Sequence, residues 1–171
     1  MAKITHTRGK SGLYRRSLVP SKVRQKTIQR ISGIPEAKRS PDHWWELGET
    51  IALNGLLKQD ESLVQEGMKY LKKATQMDPP SVSAFMDLGW LLMYRQMELF
   101  ALEYFEQAAR LSSTSRDLYA LLAICHARLG NREEALVSVK RATMSPEAVT
   151  LDFELQAVLE DKDSDRFIEH A

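Results

Sequence analysis

Apolar residues recur every three to four positions from about residue 41 to about residue 160, and no stretch alternates regularly between apolar and polar residues. This spacing is that of an amphipathic α-helix, whereas a half-buried strand alternates with a period of two. Good helix formers (Leu, Ala, Met, Glu, Gln and Arg) dominate the same region. The sequence therefore predicts an all-α domain over residues 41–160.

Turn-forming residues divide this region into helices of roughly 12–18 residues. Ser40 followed by Pro41 predicts an N-cap with proline at the first helical position. The predicted breaks lie at residues 59–62, 78–81, near 96, 112–115, 130–131 and 145–147. Because helices joined by such short connections pack as antiparallel neighbours, the region is predicted to be an array of helical hairpins.

The sequence also repeats itself, with similar residues at positions i and i + 34. Phe85, Leu88, Gly89, Leu92, Ala101, Phe105 and Ala108 correspond at this offset to Tyr119, Leu122, Ala123, His126, Ala135, Val139 and Ala142. An upstream copy runs from Trp44 to Pro79, and its first half stands seven residues too early. We expect an extended turn around residues 56–62 to contain the extra residues. We also expect small residues such as Gly89 to let the paired helices approach closely.

This pattern resembles the tetratricopeptide repeat, which reads aromatic-x2-Leu-Gly-x2-Tyr, then Ala-x3-Phe-x2-Ala and often a proline. The resemblance covers about residues 42–145 as three repeats, with residues 146–160 as a capping helix. The chain departs from the pattern at His126, which replaces the usual tyrosine, and at Gln96, where a turn glycine is common. The family implies hairpins stacked into a right-handed superhelix that binds protein partners in its concave groove, normally without catalysis.

The resemblance also implies which residues face the groove, here called the concave wall. They are Asp42, Trp45, Glu46, Glu49 and Leu53 in the first repeat, Met86, Asp87, Trp90, Met93 and Tyr94 in the second, and Asp117, Leu121, Ile124 and Arg128 in the third. Acids favour a basic ligand, aromatic residues are good anchors, and methionine adapts to irregular apolar partners. Two arrangements stay open: a wall open to a separate ligand, or one whose tryptophans are covered by the chain's own N-terminal arm or a second copy.

One well-known ligand of this family is excluded by charge. The subset that holds the C-terminal carboxylate of heat-shock chaperones uses a clamp of Lys, Asn and Arg on this wall. The matching places here hold Trp45, Glu49, Asp87, Asp117 and Leu121. Because the clamp is absent and the charge has the opposite sign, the resemblance does not imply a chaperone-tail ligand.

The net charge of +1 conceals two oppositely charged parts. Residues 1–40 carry eleven Lys/Arg and one acid, a net charge of +10, whereas residues 41–171 carry thirteen Lys/Arg and twenty-two acids, a net charge of −9. Few large apolar residues occur in the first part, so it cannot form a core by itself. We predict a basic, extended arm over 1–40, in which residues 21–31 become helical on a partner, then the repeat domain over 41–160 and an acidic tail over 161–171.

The arm has three candidate roles, with Arg8, Lys10, Arg15, Arg16, Lys22, Arg24, Lys26 and Arg30 as its candidate contacts. Its charge is compatible with phosphate-led RNA binding, although Tyr14 is its sole aromatic residue. Its Arg and Ser content is compatible with mitochondrial targeting, although its start lacks a clear amphipathic helix. We favour docking on a protein, either a larger assembly or the acidic wall of a neighbouring copy, because arm and wall have opposite charges.

No catalytic or metal-binding motif is recognised. Cys125 and His126 are adjacent, so they cannot face each other as nucleophile and base within one helix. The four histidines lack a metal-ligand spacing such as HExxH, and the Gly-Lys-Ser at residues 9–11 lacks the upstream glycine and strand of a phosphate loop. We therefore expect no enzymatic activity, no cofactor and no small-molecule substrate.

Composition bounds the remaining classes. No apolar run approaches the roughly 20 residues that span a bilayer, so no membrane partner is expected. The N-terminus lacks the apolar segment of a secretory signal, and the single Cys125 suits a reducing compartment. We expect a cytoplasmic scaffold or adaptor, or one in the mitochondrial matrix if the basic start is a targeting segment. Alternative functions are a type III-secretion-like translocator chaperone, similar in architecture alone, and a ribonucleoprotein subunit.

Overall fold

The structure, a computed structural model, describes residues 19–112 and 115–143 and is helical apart from its connections over those residues. The helices are α1 (Ser21–Ser32), α2 (Pro41–Lys58), α3 (Glu61–Thr75), α4 (Val82–Tyr94), α5 (Glu98–Leu111), α6 (Arg116–Arg128) and α7 (Arg132–Thr143), with a 3₁₀ turn at Glu36–Lys38. The predicted helical-hairpin solenoid is confirmed, because α2–α3, α4–α5 and α6–α7 pair and each pair packs on the next. The predicted capping helix and acidic tail lie outside the described residues.

A serine begins the first helix of each hairpin. The side-chain oxygens of Ser40, Ser81 and Ser115 each accept a hydrogen bond, 3.3 Å long, from the backbone N–H three residues later. These bonds satisfy N–H groups that a helix N-terminus leaves without an intrahelical partner. At α2 the cap is reciprocal, since the backbone N–H of Ser40 donates to His43 Nδ1 at 3.0 Å. The predicted helix start at Ser40 and Pro41 is confirmed.

The seven extra residues of the first repeat are accommodated mainly by a longer helix. α2 has 18 residues, whereas α4 and α6 have 13 each, and two residues separate α2 from α3. The expected extended turn around residues 56–62 is therefore wrong. Leu53 is buried and Gly55 lies against Val64 of α3. Continuing the helix therefore buries an apolar face that an open loop would leave in water.

Each hairpin turn contains one residue in the left-handed region. The φ angle is 55° at Gln59, 57° at Gln96 and 76° at Gly130. Glycine adopts this conformation without a steric penalty, whereas a residue with a Cβ loses roughly 1–2 kcal/mol. The glycine that the repeat pattern expects at position 96 thus has a conformational reason, and Gln96 bears the penalty.

We expect Gln96→Gly to raise the free energy of unfolding by about 0.5–1 kcal/mol, because relief of the left-handed strain exceeds the chain entropy that glycine adds to the unfolded state. Gly130→Ala should lower it by about 1–2 kcal/mol through conformation alone, since nothing lies within 4 Å of the added Cβ. Urea unfolding followed by circular dichroism measures both changes. Equal stability of the two variants would contradict this account of the turns.

Small residues set how closely paired helices pack. A Cβ added to Gly48 would lie 2.8 Å from the backbone oxygen of Gly67, and one added to Gly67 would lie 2.5 Å from the backbone nitrogen of Ala52. In the second hairpin a Cβ on Gly89 would lie 2.5 Å from the ring of Phe105. The expected close approach is confirmed. It brings backbone against backbone between α2 and α3, and backbone against an aromatic ring between α4 and α5.

α1 packs against α2, so the folded body begins before residue 41. Ile31 is fully buried in the core. Arg24 Nε donates to Asn54 Oδ1 at 2.6 Å, and Arg30 Nη2 donates to Glu46 Oε2 at 2.6 Å, so α1 runs antiparallel to α2. Among the described residues, the segment predicted to become helical on a partner is instead helical on its own chain. One fully buried isoleucine and these two contacts anchor a segment that has too few apolar residues to fold alone.

Trp44 holds the connection between α1 and α2 in place. Its buried ring stacks on Tyr70 with centroids 5.5 Å apart. The Arg39 guanidinium lies 4.6 Å from the centroid of the indole and Lys73 Nζ lies 4.2 Å from it, which are cation–π distances. Lys73 also pairs with Glu36 at 3.2 Å. Trp44 therefore belongs to the packing signature of the repeat, as its position in the pattern predicts.

Candidate functional site

The concave wall is formed by the first helix of each hairpin. α2 contacts α4 and α4 contacts α6, and these first helices contact one another more closely than the second helices α3, α5 and α7 do. The predicted wall residues lie on these three first helices, α2, α4 and α6.

A hydrogen bond crosses the wall between α2 and α4. Trp45 Nε1 donates to Asp87 Oδ2 at 2.7 Å. Asp87 is buried, whereas the indole of Trp45 remains partly accessible. Because the acceptor is buried, the bond lies in a low-dielectric environment, where a hydrogen bond is electrostatically stronger than in water. It fixes the orientation of the indole and so presents the free part of the ring in one geometry.

An aromatic pair stands near the C-terminal end of α4, the central helix of the wall. Trp90 and Tyr94 are one helical turn apart, and their rings stack with centroids 5.7 Å apart and planes at 18°. Trp90 is half-buried, while Tyr94 is 63% exposed. The pair offers a large amphipathic surface that loses little side-chain entropy on binding. Such residues are typical anchors in protein interfaces.

The predicted wall residues are found at three depths. Exposed side chains are Asp42, Tyr94 and Arg128; half-buried ones are Trp45, Glu46, Trp90, Asp117 and Ile124; buried ones are Glu49, Leu53, Met86, Asp87, Met93 and Leu121. Exposed and half-buried members are available to a ligand as placed. The buried members cannot reach a ligand in this structure. The expectation that they contact a partner directly is therefore wrong for them.

The number of neighbours around α4 explains the burial of its two methionines. α4 contacts α2, α3, α5 and α6, so little of its circumference is left for solvent. Met86 and Met93 fall on the covered part and join the core, while Trp90 and Tyr94 fall on the uncovered strip. Helical periodicity predicts the direction of a side chain around its axis but not how many helices surround that axis.

The acidic residues of the wall differ in how they can act on a ligand. Glu49 and Asp87 are 0% and 2% exposed, and carboxylates so deeply buried are held by polar groups of the folded chain. They are therefore not placed for direct contact with a ligand. Direct contact falls to Asp42, Glu46 and Asp117, of which Glu46 already pairs with Arg30.

The predicted basic contacts divide between the body and the segment before it. Arg8, Lys10, Arg15 and Arg16 lie outside the described residues. On α1, Lys22 and Lys26 are exposed, whereas Arg24 and Arg30 bind Asn54 and Glu46 of α2. Two of the four described basic residues therefore act within the chain, where they hold α1 on the body.

An apolar surface at the tip of the second hairpin was not recognised from the sequence. Met97, Leu99 and Phe100 are 38%, 70% and 56% exposed where α5 begins. The signal that could have shown it is the repeat itself, because Glu133 and Glu134 occupy the positions of Leu99 and Phe100 in the next hairpin. Apolar residues where a sister repeat carries acids indicate a surface that differs in this hairpin.

Neither Cys125 nor His126 forms a reactive site. Cys125 is buried and its thiol donates to the backbone oxygen of Glu98 at 3.3 Å. Burial raises the pKa of this thiol to about 12, so the nucleophilic thiolate is disfavoured. Burial lowers the pKa of His126, against the raising effect of the nearby carboxylates of Glu134 and Glu106. The imidazole is therefore held toward its neutral form, as suits a residue that packs where the repeat usually has tyrosine.

An open cleft of about 580 Å³ lies between α5, α6 and α7 beside His126. Its rim mixes acids with Arg110 and Arg141, the latter stacked over Tyr119 at 5.4 Å. Mixed charges of this kind do not favour a ligand of one charge sign over the other.

Over the described residues, no three His, Cys, Asp or Glu side chains come together as metal ligands, and no helix combines the length and apolarity needed to cross a membrane.

The chain is similar over 100 residues to Protein O-mannosyl-transferase TMTC3 of Homo sapiens, with 32% identity. The matched stretch is 58% of this chain but 11% of that protein. TMTC3 contains tetratricopeptide repeats, so the similarity agrees with a helical-repeat architecture. Mannosyl transfer is named for the whole of that protein, and a match to so small a share of it does not extend the activity to this chain. No protein-family model matches the chain.

Proposed function

We propose that the protein is a non-catalytic scaffold or adaptor that binds a basic peptide segment of a protein partner across the concave wall. The observation that carries this proposal is the stacked Trp90–Tyr94 pair on the central helix of the wall, in which Trp90 is half-buried and Tyr94 is exposed. An accessible pair of stacked aromatic rings on the surface of a helical repeat is an arrangement typical of a binding site.

The surroundings of the pair support a basic ligand. Trp45, held by its hydrogen bond to Asp87, adds a second aromatic surface on the neighbouring helix. Asp42 and Asp117 lie in the first turns of α2 and α6, at the end of the wall opposite to Tyr94. Aromatic anchors at one end of the wall and acids at the other suit an extended apolar segment that carries Lys or Arg, since the charges steer the ligand and the rings hold it.

Lys22 and Lys26, exposed on α1, offer a separate contact to an acidic surface of a larger assembly or a neighbouring subunit. A role in binding RNA receives less support, because Arg24 and Arg30 bind the chain's own polar groups. Phosphate binding by the arm would then depend on fewer positive charges than the sequence shows.

The test is a selection of 16-residue peptides displayed on phage against the full-length protein, with the affinity of the selected peptides measured by fluorescence anisotropy. We expect enrichment of Lys and Arg together with apolar residues. Trp90→Ala combined with Tyr94→Ala should weaken binding by about 30-fold or more, because anchors of this kind contribute about 2 kcal/mol or more.

The matched control is Leu99→Ala combined with Phe100→Ala, which removes two exposed apolar side chains from α5 rather than from the wall. This control should bind the selected peptides within about twofold of the unaltered protein. Circular dichroism verifies that both variants stay helical. Equal loss of binding in the two variants, or selected peptides without basic residues, would refute the assignment of the wall.

A further inference from the structure

The chain enters the folded body beside one end of the concave wall. Arg24 binds Asn54 near the C-terminal end of α2 and also donates to the backbone oxygen of Val19. Because Ser40 and Ser81 start α2 and α4 at equivalent positions, Asn54 is level with the end of α4, where Tyr94 is exposed. Val19 therefore lies at the edge of the wall that carries the most accessible aromatic residue.

The segment before Val19, residues 1–18, is long enough to cross the wall. An extended chain of that length reaches up to about 60 Å. The wall is two helix spacings wide, about 20 Å, and α4 is about 20 Å long. A flexible chain of the same length has a root-mean-square span of about 25 Å, close to the distance it would have to cover.

The same segment has the chemistry of the ligand that the wall favours. Residues 1–18 contain five Lys or Arg and no Asp or Glu. Leu13 and Tyr14 directly precede the dipeptide Arg15–Arg16, so apolar and cationic groups stand side by side. The stacked aromatic surface, which binds both apolar and cationic groups, therefore has a complementary segment tethered to its own edge.

We propose that residues 1–18 bind across the concave wall of their own molecule and occupy it until a partner displaces them. Leu13 and Tyr14 lie on the Trp90–Tyr94 pair, and the guanidinium groups of Arg15 and Arg16 lie beside the same rings at cation–π distance. This inference rests on the proposed function, because it uses the same wall. It adds a competing intramolecular ligand that regulates access.

The tether favours the same molecule over a second copy. A short flexible connection gives an effective concentration of about 1 mM. If the free segment binds with a dissociation constant of about 10–100 μM, the tethered segment reduces the affinity for any competing ligand by about 10- to 100-fold. Binding of the segment to the wall of a second copy would compete with binding to its own wall only if the protein concentration approached about 1 mM.

The test uses full-length proteins and a fluorescent synthetic peptide with the sequence of residues 1–18. Arg15→Glu combined with Arg16→Glu should weaken the internal segment, so this variant should bind the peptide at least tenfold more tightly than the unaltered protein. Lys22→Glu combined with Lys26→Glu is the matched control, since it changes the net charge equally but on α1. The control should bind the peptide within about threefold of the unaltered protein.

Each other outcome overturns the proposal. Equal binding of the peptide by the unaltered protein and the Arg15/Arg16 variant would show that the wall is vacant. A peptide that binds neither protein would show that the segment does not fit. Binding to the Arg15/Arg16 variant that survives added Trp90→Ala and Tyr94→Ala changes would place the segment elsewhere. Light scattering that finds a dimer at 10 μM, dissociated by the Arg15/Arg16 changes, would assign the segment to a second copy.

These failures differ from failure of the proposed function. If peptides selected by phage display bind through Trp90 and Tyr94, but with the same affinity to the unaltered protein and the Arg15/Arg16 variant, the wall is a binding site without internal competition. If neither the selected peptides nor the 1–18 peptide depends on Trp90 and Tyr94, both proposals fail together.

Discussion

Gly67→Ala is expected to lower the free energy of unfolding by about 3 kcal/mol or more, among the largest effects of a single methyl group in this chain. The added Cβ would lie 2.5 Å from the backbone nitrogen of Ala52 and 2.6 Å from the backbone oxygen of Gly48. Backbone atoms of a helix cannot rotate away as a side chain does. The clash is therefore relieved only if α2 and α3 move apart, and that separation opens gaps along the whole interface.

Gly33→Ala is the matched control for this prediction. The same chemical change there brings the Cβ no closer than 3.5 Å to the backbone oxygen of Gln29, and φ is −72°. We expect a change within about 0.5 kcal/mol. The loss of stability in Gly89→Ala should lie between those of the other two variants. The added Cβ there meets the side chain of Phe105, which can move more easily than backbone atoms. Urea unfolding of the three variants gives the order, and a Gly67→Ala protein as stable as Gly33→Ala would disprove the close seam between α2 and α3.

Ile31→Ala is expected to lower the free energy of unfolding by about 2–4 kcal/mol. Ile31 is fully buried, so the substitution removes apolar area from the core and leaves a cavity between α1 and α2. The effect distinguishes a helix that belongs to the body from an arm that merely rests on it. If α1 were an independent arm, its loss would leave the stability of the repeats unchanged.

Val23→Ala on the same helix is the control, because its side chain is 48% exposed and its truncation should cost less than about 0.5 kcal/mol. Denaturant unfolding followed by tryptophan fluorescence measures both variants. Hydrogen exchange adds a second readout: amides of α1 should exchange with the same free energy as those of α2 in the unaltered protein. Similar stability of Ile31→Ala and Val23→Ala would contradict the packing of α1.

The sequence contained enough information for the hairpins because each local signal agreed with the others. Ser40 predicted a helix start that its side chain indeed caps, and Trp44 fell on the packing side of the repeat. The length of α2 was not predictable in the same way. The comparison of the repeats shows that residues were inserted, but whether they lengthen a helix or a turn depends on what α3 offers for burial.

The candidate site was harder to predict because it depends on neighbours. Trp90 and Met93 lie on the same helix and both suit a groove in their chemistry, yet Trp90 is accessible and Met93 is buried. The difference arises from the four helices around α4, which no single helical pattern contains. Likewise the placement of α1 depends on Ile31 reaching the core, a long-range contact between segments that are both weakly apolar.

The length of α2 has a further consequence for the shape of the surface beside it. Because all three inner helices start at equivalent serines, the five residues by which α2 exceeds α4 extend it by about 7.5 Å at the opposite end. The extension carries Leu57, whose side chain is 50% exposed. The two flanks are therefore unequal. A segment bound across the wall, as proposed above, would meet this extension at one flank alone, so the two directions in which a peptide can lie would not be equivalent.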